Sequence, residues 1–194
     1  MTTTQIFAEL LVIGFGAFAW LLVLGAAIFG WEVPRVAERL TSWELLLPML
    51  SLVYVLGIVV DRLADWFFDR WDKQYRDEEF ESKEAFYNAR RLMVYYGKGL
   101  WEDLEYGRSR LRICRGSACN SVALLVSLFI LWITRADVGP EHWFQKLSCT
   151  FFLLAITVLC VACWRKLVVK EYRKTKRQSK WLNDQLKKRG YCHD

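Results

Sequence analysis

Four long apolar blocks, with nearly every charged residue confined between them, constrain the fold of this chain more than any other feature. The first runs from Ile6 to Phe29 and is interrupted only by Glu9. The second is Leu45 to Val60, the third is centred on Ser121 to Thr134, and the fourth is Leu147 to Trp164, closed at once by Arg165 and Lys166. A soluble helix buries one stripe and shows a polar face every third or fourth residue. These blocks have no such face, and they approach or exceed the roughly 18 residues that mark a span of a hydrocarbon layer about 30 Å thick. The expected fold is therefore all-α: a polytopic membrane protein of four transmembrane helices with helical cytoplasmic extensions. A single membrane domain is expected over residues 1–194, with no room for a separate catalytic domain of ordinary size.

Local signals set the span limits. Gly25, Ala26 and Ala27 have the small size of a signal-peptide cleavage site, but Met1 to Gln5 carries no lysine or arginine and the block is too long for a signal core. A retained span over 6–29 is expected. Thr41 with Glu44 three residues on has the form of a capping box, and Trp43 and Trp66 flank the next block as interfacial aromatics do. The second span is thus set at 43–60, with Pro48 tolerated near its start. The third is set at 113–134, on condition that Arg115 snorkels out of the hydrocarbon, and the fourth at 147–164.

Lysine and arginine give the direction. The link between spans one and two holds Arg35 and Arg39, and that between three and four holds Arg135 and Lys146. The segment 61–119 holds twelve basic residues and the tail 165–194 holds eleven. The positive-inside rule then predicts that both termini face the cytoplasm, in a bacterial inner membrane by expectation. The six cysteines fall in or beside the spans or in the tail, so no disulfide framework is implied.

The cytoplasmic region 61–112 is expected to continue span two to about Arg76, to form an amphipathic helix from about Glu78 to Tyr96, and to break at Gly97 and Gly99 before a helix resumes near Leu100. Asp61, Asp65, Asp69 and Asp72 recur at intervals of four, four and three, along one helix face. Arg108, Arg112 and Arg115 do the same on the antiparallel neighbour. The spacing predicts a carboxylate–guanidinium ladder with Asp61 level with Arg115 and the other pairs further out, a candidate gating element. Separate solvated faces are the plainer reading, and exposed pairs of this kind contribute only about 0–1 kcal/mol. Binding of an anionic ligand such as a nucleotide or lipid headgroup by spare arginines is a third reading, unsupported by any glycine-rich phosphate loop.

The basic tail 165–194 has only Glu171, Asp184 and Asp194 as acids. Lys166, Lys170, Arg173 and Arg177 repeat at four, three and four, giving a basic stripe on a helix that continues span four. Membrane lipids with anionic headgroups are the expected partners of such a stripe. A soluble cytoplasmic partner ranks next, docking on Trp181, Leu182 and Leu186 unless these fold back on the chain's own helices, and nucleic acid ranks last.

Within the membrane, Glu9 is the one intramembrane carboxylate, expected to be shallow and hydrated, with pairing to an arginine such as Arg115 or an ion-path role as rivals. Gly14, Ala17, Leu21 and Gly25 line one face of span one and suit close helix packing, within a subunit or between copies. Cys160 and Cys163 form a C-x-x-C inside span four, read as small buried residues because no second ligand pair accompanies it. No metal site and no cofactor are expected. With only His142 and His193, and no serine or cysteine in a nucleophile setting, no catalytic residues are expected either.

Four short spans do not easily enclose a wet path alone, whereas several copies could. The expected function is a homo-oligomeric pore or channel-like protein gated from the cytoplasmic side. A membrane-anchored sensor or scaffold that recruits a soluble partner through the basic tail is the alternative, and a lipid-acting enzyme is a third. The arrangement is similar in layout, though in no quotable motif, to small four-span effectors of bacterial anti-phage systems.

Overall fold

The structure, a computed structural model, describes residues 3–30, 46–134 and 143–189. These residues form α1 (Thr3–Phe29), α2 (Leu46–Glu79), α3 (Lys83–Tyr96), α4 (Lys98–Thr134) and α5 (Trp143–Lys188), with no strand among them. All but α3 are long and apolar enough to cross a membrane. The Thr41–Glu44 capping pair, Trp43, Arg35, Arg39, Arg135, His142, Cys192, His193 and Asp194 lie outside the described residues.

Length explains the architecture. At 1.5 Å per residue α1 is about 40 Å long, whereas α2, α4 and α5 reach about 51, 56 and 69 Å. A hydrocarbon layer accounts for about 30 Å. The remainder of α2, α4 and α5 protrudes at one end of the bundle and, with α3, builds a polar extension.

Helix limits follow local chemistry. α1 stops at Gly30, whose φ of 92° favours glycine and whose N–H bonds to the Ala26 carbonyl at 3.0 Å. α2 persists to Glu79 rather than stopping near Arg76, and the amphipathic helix starts at Lys83 rather than near Glu78. The reason is the Ser82 N-cap, whose side chain accepts from the Ala85 N–H at 3.0 Å and fixes the new helix start. The glycine break is at Gly97 alone, whose N–H caps the Met93 carbonyl. Gly99 lies inside α4.

Three clusters hold the helices together at successive levels. In the apolar end, Ile13 and Ala17 of α1 pack on Val60 of α2, with Leu56, Trp20 and Cys119 around them. The α1–α2 contact is backbone on backbone: a Cβ on Gly57 would lie 2.0 Å from the Leu10 carbonyl oxygen, and one on Gly14 would lie 1.9 Å from that of Val53. On the other side of α1, the Asn120 side chain donates to the Ile13 carbonyl at 2.8 Å and accepts from the Trp20 indole at 3.2 Å. At the middle level Phe68, Ala118, Trp164 and Val168 join α2, α4 and α5. At the far end of the extension Met93, Leu104, Leu182 and Leu186 join α3, α4 and α5.

The apolar part of α5 is the exception. Leu153 and Trp164 are buried, but Phe151, Phe152, Leu154, Val158 and Leu159 are exposed. An apolar surface of this extent is stable only against lipid or another protein surface.

Candidate functional site

The polar residues of the four-helix unit converge where the apolar bundle meets the extension. Glu9 enters from the second turn of α1, Asp61 and Asp65 from the middle of α2, and Ser109, Arg112 and Arg115 from the middle of α4. Arg112 Nη1 lies 3.2 Å from Glu9 Oε2, and its Nε lies 3.5 Å from Asp61 Oδ1. Arg115 Nη2 lies 2.5 Å from Asp65 Oδ1, and the Ser109 hydroxyl donates to Glu9 Oε1. One guanidinium thus ties α1 and α2 to α4.

Glu9 differs from the expectation. It is 5 % exposed rather than hydrated, and its arginine is Arg112 rather than Arg115. α1 approaches α4 closely at this level, where Ile13 fills the space that a side chain on Gly116 would take. Arg115 does not snorkel free, because Asp65 holds it within the bundle and its side chain is 17 % exposed.

The ladder is also differently registered. Asp61 meets Arg112 and Asp65 meets Arg115, a crossed arrangement in which each long guanidinium arm reaches one turn away from its level neighbour. Beyond these two rungs it stops. Asp69 pairs with Lys73 on its own helix, Asp72 accepts from the Tyr172 hydroxyl at 2.9 Å, and Arg108 pairs with Glu105 at 3.4 Å. Asp69, Asp72 and Arg108 all line one cavity of about 600 Å³, which lies between α2, α3, α4 and α5 and keeps the outer rungs apart.

That cavity is a recess of the extension. Arg112 and Arg115 also line it, and Arg90 contributes a fourth guanidinium from α3. Trp66, Phe86 and Tyr172 add aromatic surface, and Glu105 and Glu171 add carboxylates. Burial raises the Asp72 carboxyl above its ordinary range despite the opposing hydrogen bond from Tyr172. Burial, with the Asp72 charge beside it, pushes the Tyr172 phenol up as well. Burial also raises Glu171, and burial followed by repulsion from Arg108 lowers Arg90.

The basic stripe on α5 divides in two. Lys166, Lys170 and Arg177 are exposed. Arg173 pairs with Glu79 at 2.6 Å, and its neighbours Lys174 and Lys176 reach Asp103 and the Glu79 carbonyl at 2.5 and 2.6 Å. Of the docking candidates, Leu182 and Leu186 fold back onto α3 and α4, whereas Trp181 is exposed.

In α1, Gly14 and Ala17 pack against the chain's own helices, and Leu21 and Gly25 are half-buried. Cys160 is half-buried but Cys163 is exposed, against the expectation that both are buried, because α5 makes few contacts along its apolar part. Ser109, Asn120, Gly57, Arg90 and Tyr172 were not expected in these roles. Their only sequence signal is a polar or small residue within a long helix, which does not identify a partner about one hundred residues away. Compared with known proteins, the chain matches no family model, no curated protein and no solved structure.

Proposed function

We propose that the chain is the subunit of a homo-oligomeric, channel-like membrane protein, inserted with both termini and the polar extension in the cytoplasm and gated from that side. The observation that carries this reading is Arg112. It lines the cavity of the extension and at the same time holds Glu9 of α1 and Asp61 of α2. A ligand or partner that draws this guanidinium toward the cavity weakens the tie between three helices, which biases their packing. The interior of one subunit is filled by Ile13, Ala17 and Val60, so a wet path requires several copies. The exposed apolar face of α5 offers surface for such contacts. A bacterial inner-membrane setting and a role as an anti-phage effector complete the proposal on layout alone.

Reconstitution in liposomes loaded with a fluorescent ion indicator tests it. The wild-type chain is expected to pass ions, and Arg112→Ala is expected to change the flux at equal protein incorporation. An assembled protein that passes no ions with either sequence would sink the pore reading. The scaffold alternative draws on Lys166, Lys170 and Arg177, which remain exposed. Replacing all three with glutamate should abolish recovery of a bound soluble protein if that reading is right.

A further inference from the structure

Arg112 is one cation shared by two buried acids, Glu9 and Asp61, and the sharing is unequal. Both oxygens of Glu9 are engaged: the Ser109 hydroxyl donates to Oε1, and Arg112 Nη1 donates to Oε2 at 3.2 Å. Asp61 has less. It is 6 % exposed, and its Oδ1 lies 3.5 Å from Arg112 Nε, yet that oxygen accepts no hydrogen bond from any described residue. The other charges acting on Asp61 are Arg62 and Asp65 of its own helix and Arg115 of α4, with none from α5 among the described residues. Arg115 and Arg62 both lean on Asp65, and the Cys119 thiol packs against the cluster that holds the adjacent Val60. Three carboxylates, Glu9, Asp61 and Asp65, thus face two inward guanidinium groups, Arg112 and Arg115, leaving one negative charge in excess. A carboxylate held away from water without a counter-ion of its own is costly, and taking up a proton relieves that cost.

The crowding of the site favours a proton over a metal ion. Arg112 already stands between the two carboxylates, and one turn from Asp61 a Cβ on Gly57 would lie 2.0 Å from the Leu10 carbonyl oxygen. A metal ion finds no room between helices so close, whereas a proton needs none. Asp61 is its seat, because a proton on Glu9 would displace a hydrogen bond that Glu9 already accepts. Burial acts in the same direction, raising the Asp61 carboxyl above its ordinary range although Arg112 pulls it down. We propose that Asp61 is a proton-binding site of the folded protein, holding its proton at pH values where an exposed aspartate has lost it. Once ionised, Asp61 competes with Glu9 for Arg112, which loosens α1 from α4. Ser109 and Arg112 also line the cavity of the extension, so the site adjoins that recess. The inference rests on the gating proposal only for its consequence, the proton being the signal. Proton binding itself is read without ion flux, so either can fail alone.

The test is infrared spectroscopy of the full chain in dodecyl maltoside, with isotope-labelled aspartate so that the carbonyl stretch of protonated aspartate stands apart from that of glutamate. The band is expected to persist well above the usual aspartate value of about 3.9 and to fade as pH rises through the higher folded-state value. Asp72, raised by burial as well, contributes to the same band. The wild-type intensity should therefore match two aspartates, a reading independent of any variant's folding. In Asp72→Asn the remaining band belongs to Asp61, and adding Asp61→Asn should abolish it. Glu9→Gln in the same background frees Arg112 for Asp61 while keeping an acceptor for Ser109, and it should lower the band's midpoint by about one pH unit. A carboxylate that merely packs the helices, without binding a proton, gives no such band to shift. The proposal is overturned if the wild-type band carries the intensity of one aspartate or none, if the band survives Asp61→Asn in the Asp72→Asn background, or if Glu9→Gln leaves its midpoint unmoved.

Discussion

Glu9, Asp61 and Arg112 illustrate how an ion pair inside a bundle differs from one on its surface. With Glu9 and Asp61 both buried, removing the guanidinium strands two carboxylates in a poorly solvated site. Breaking a buried pair from one side costs about 3–5 kcal/mol, whereas neutralising both sides costs far less. Arg112→Met is therefore expected to lower the apparent unfolding temperature in detergent substantially. Adding Glu9→Gln to it should recover part of the loss, since glutamine keeps an acceptor for Ser109 without the charge. No recovery in the double variant would mean that the two side chains act independently. Asp72 leads to a prediction of opposite sign. Its carboxyl is raised by burial, so the folded state disfavours its ionised form. The protonated carboxyl's contribution is fully present below the unfolded-state value of about 3.9 and is lost as pH rises through the higher folded-state value. Asp72→Asn should thus stabilise the protein at pH 7, and that gain should shrink as pH falls toward about 4. A gain that persists unchanged at pH 4 would show that burial of the charge is not its cause.

At the scale of helices, α1 and α2 owe their separation to two glycines that accept each other's backbone. Because Gly57 faces the Leu10 carbonyl, a methyl group there can be accommodated only by moving a helix. Gly57→Ala is expected to destabilise by about 1–3 kcal/mol. Gly99→Ala should do the reverse, since nothing lies within 4 Å of the added carbon and the unfolded chain loses freedom, a gain of about 0.4–1 kcal/mol. Thermal unfolding of the two variants side by side tests the contrast, and equal effects would contradict the packing. These glycines also mark what the sequence made legible. The four long helices were readable because hydrocarbon tolerates so few charges, and the faces of Asp61 and Asp65 and of Arg112 and Arg115 were readable from spacings of three and four. The crossed register was not readable, because it depends on where α1 presses against α4 and on how far each arginine reaches. Nor was the tail's attachment, since Arg173 and Glu79 become neighbours only after α5 folds back beside α2.

For the whole molecule, the open question is what covers α5. Its apolar stretch is the least buried of the four, with only 6 % of its residues buried, against 22 % for α2 and α4 and 28 % for α1. Lipid alone satisfies such a face, so exposure by itself does not imply assembly. The pattern of side chains adds an argument. Phe151, Phe152, Val158 and Leu159 stand proud of the helix, while Ser148 and Cys149 offer small exposed sites beside them. Helices in lipid associate where small residues let backbones approach, because apolar surface gains little by leaving lipid tails. If copies meet along α5, the native mass in mild detergent should be a defined multiple of the 22.9 kDa chain. Oxidation should then join copies through Cys149, which is exposed, and Leu159→Cys should add a second joining position one side of the same helix. Cysteine placed at Ala17, which is wholly buried inside the subunit, should not join copies under the same conditions. A defined multiple with joining at both α5 positions places the subunit contact on this helix. A monomeric mass, with no joining at either position, would leave α5 to lipid and remove the structural basis for a pore built from several copies.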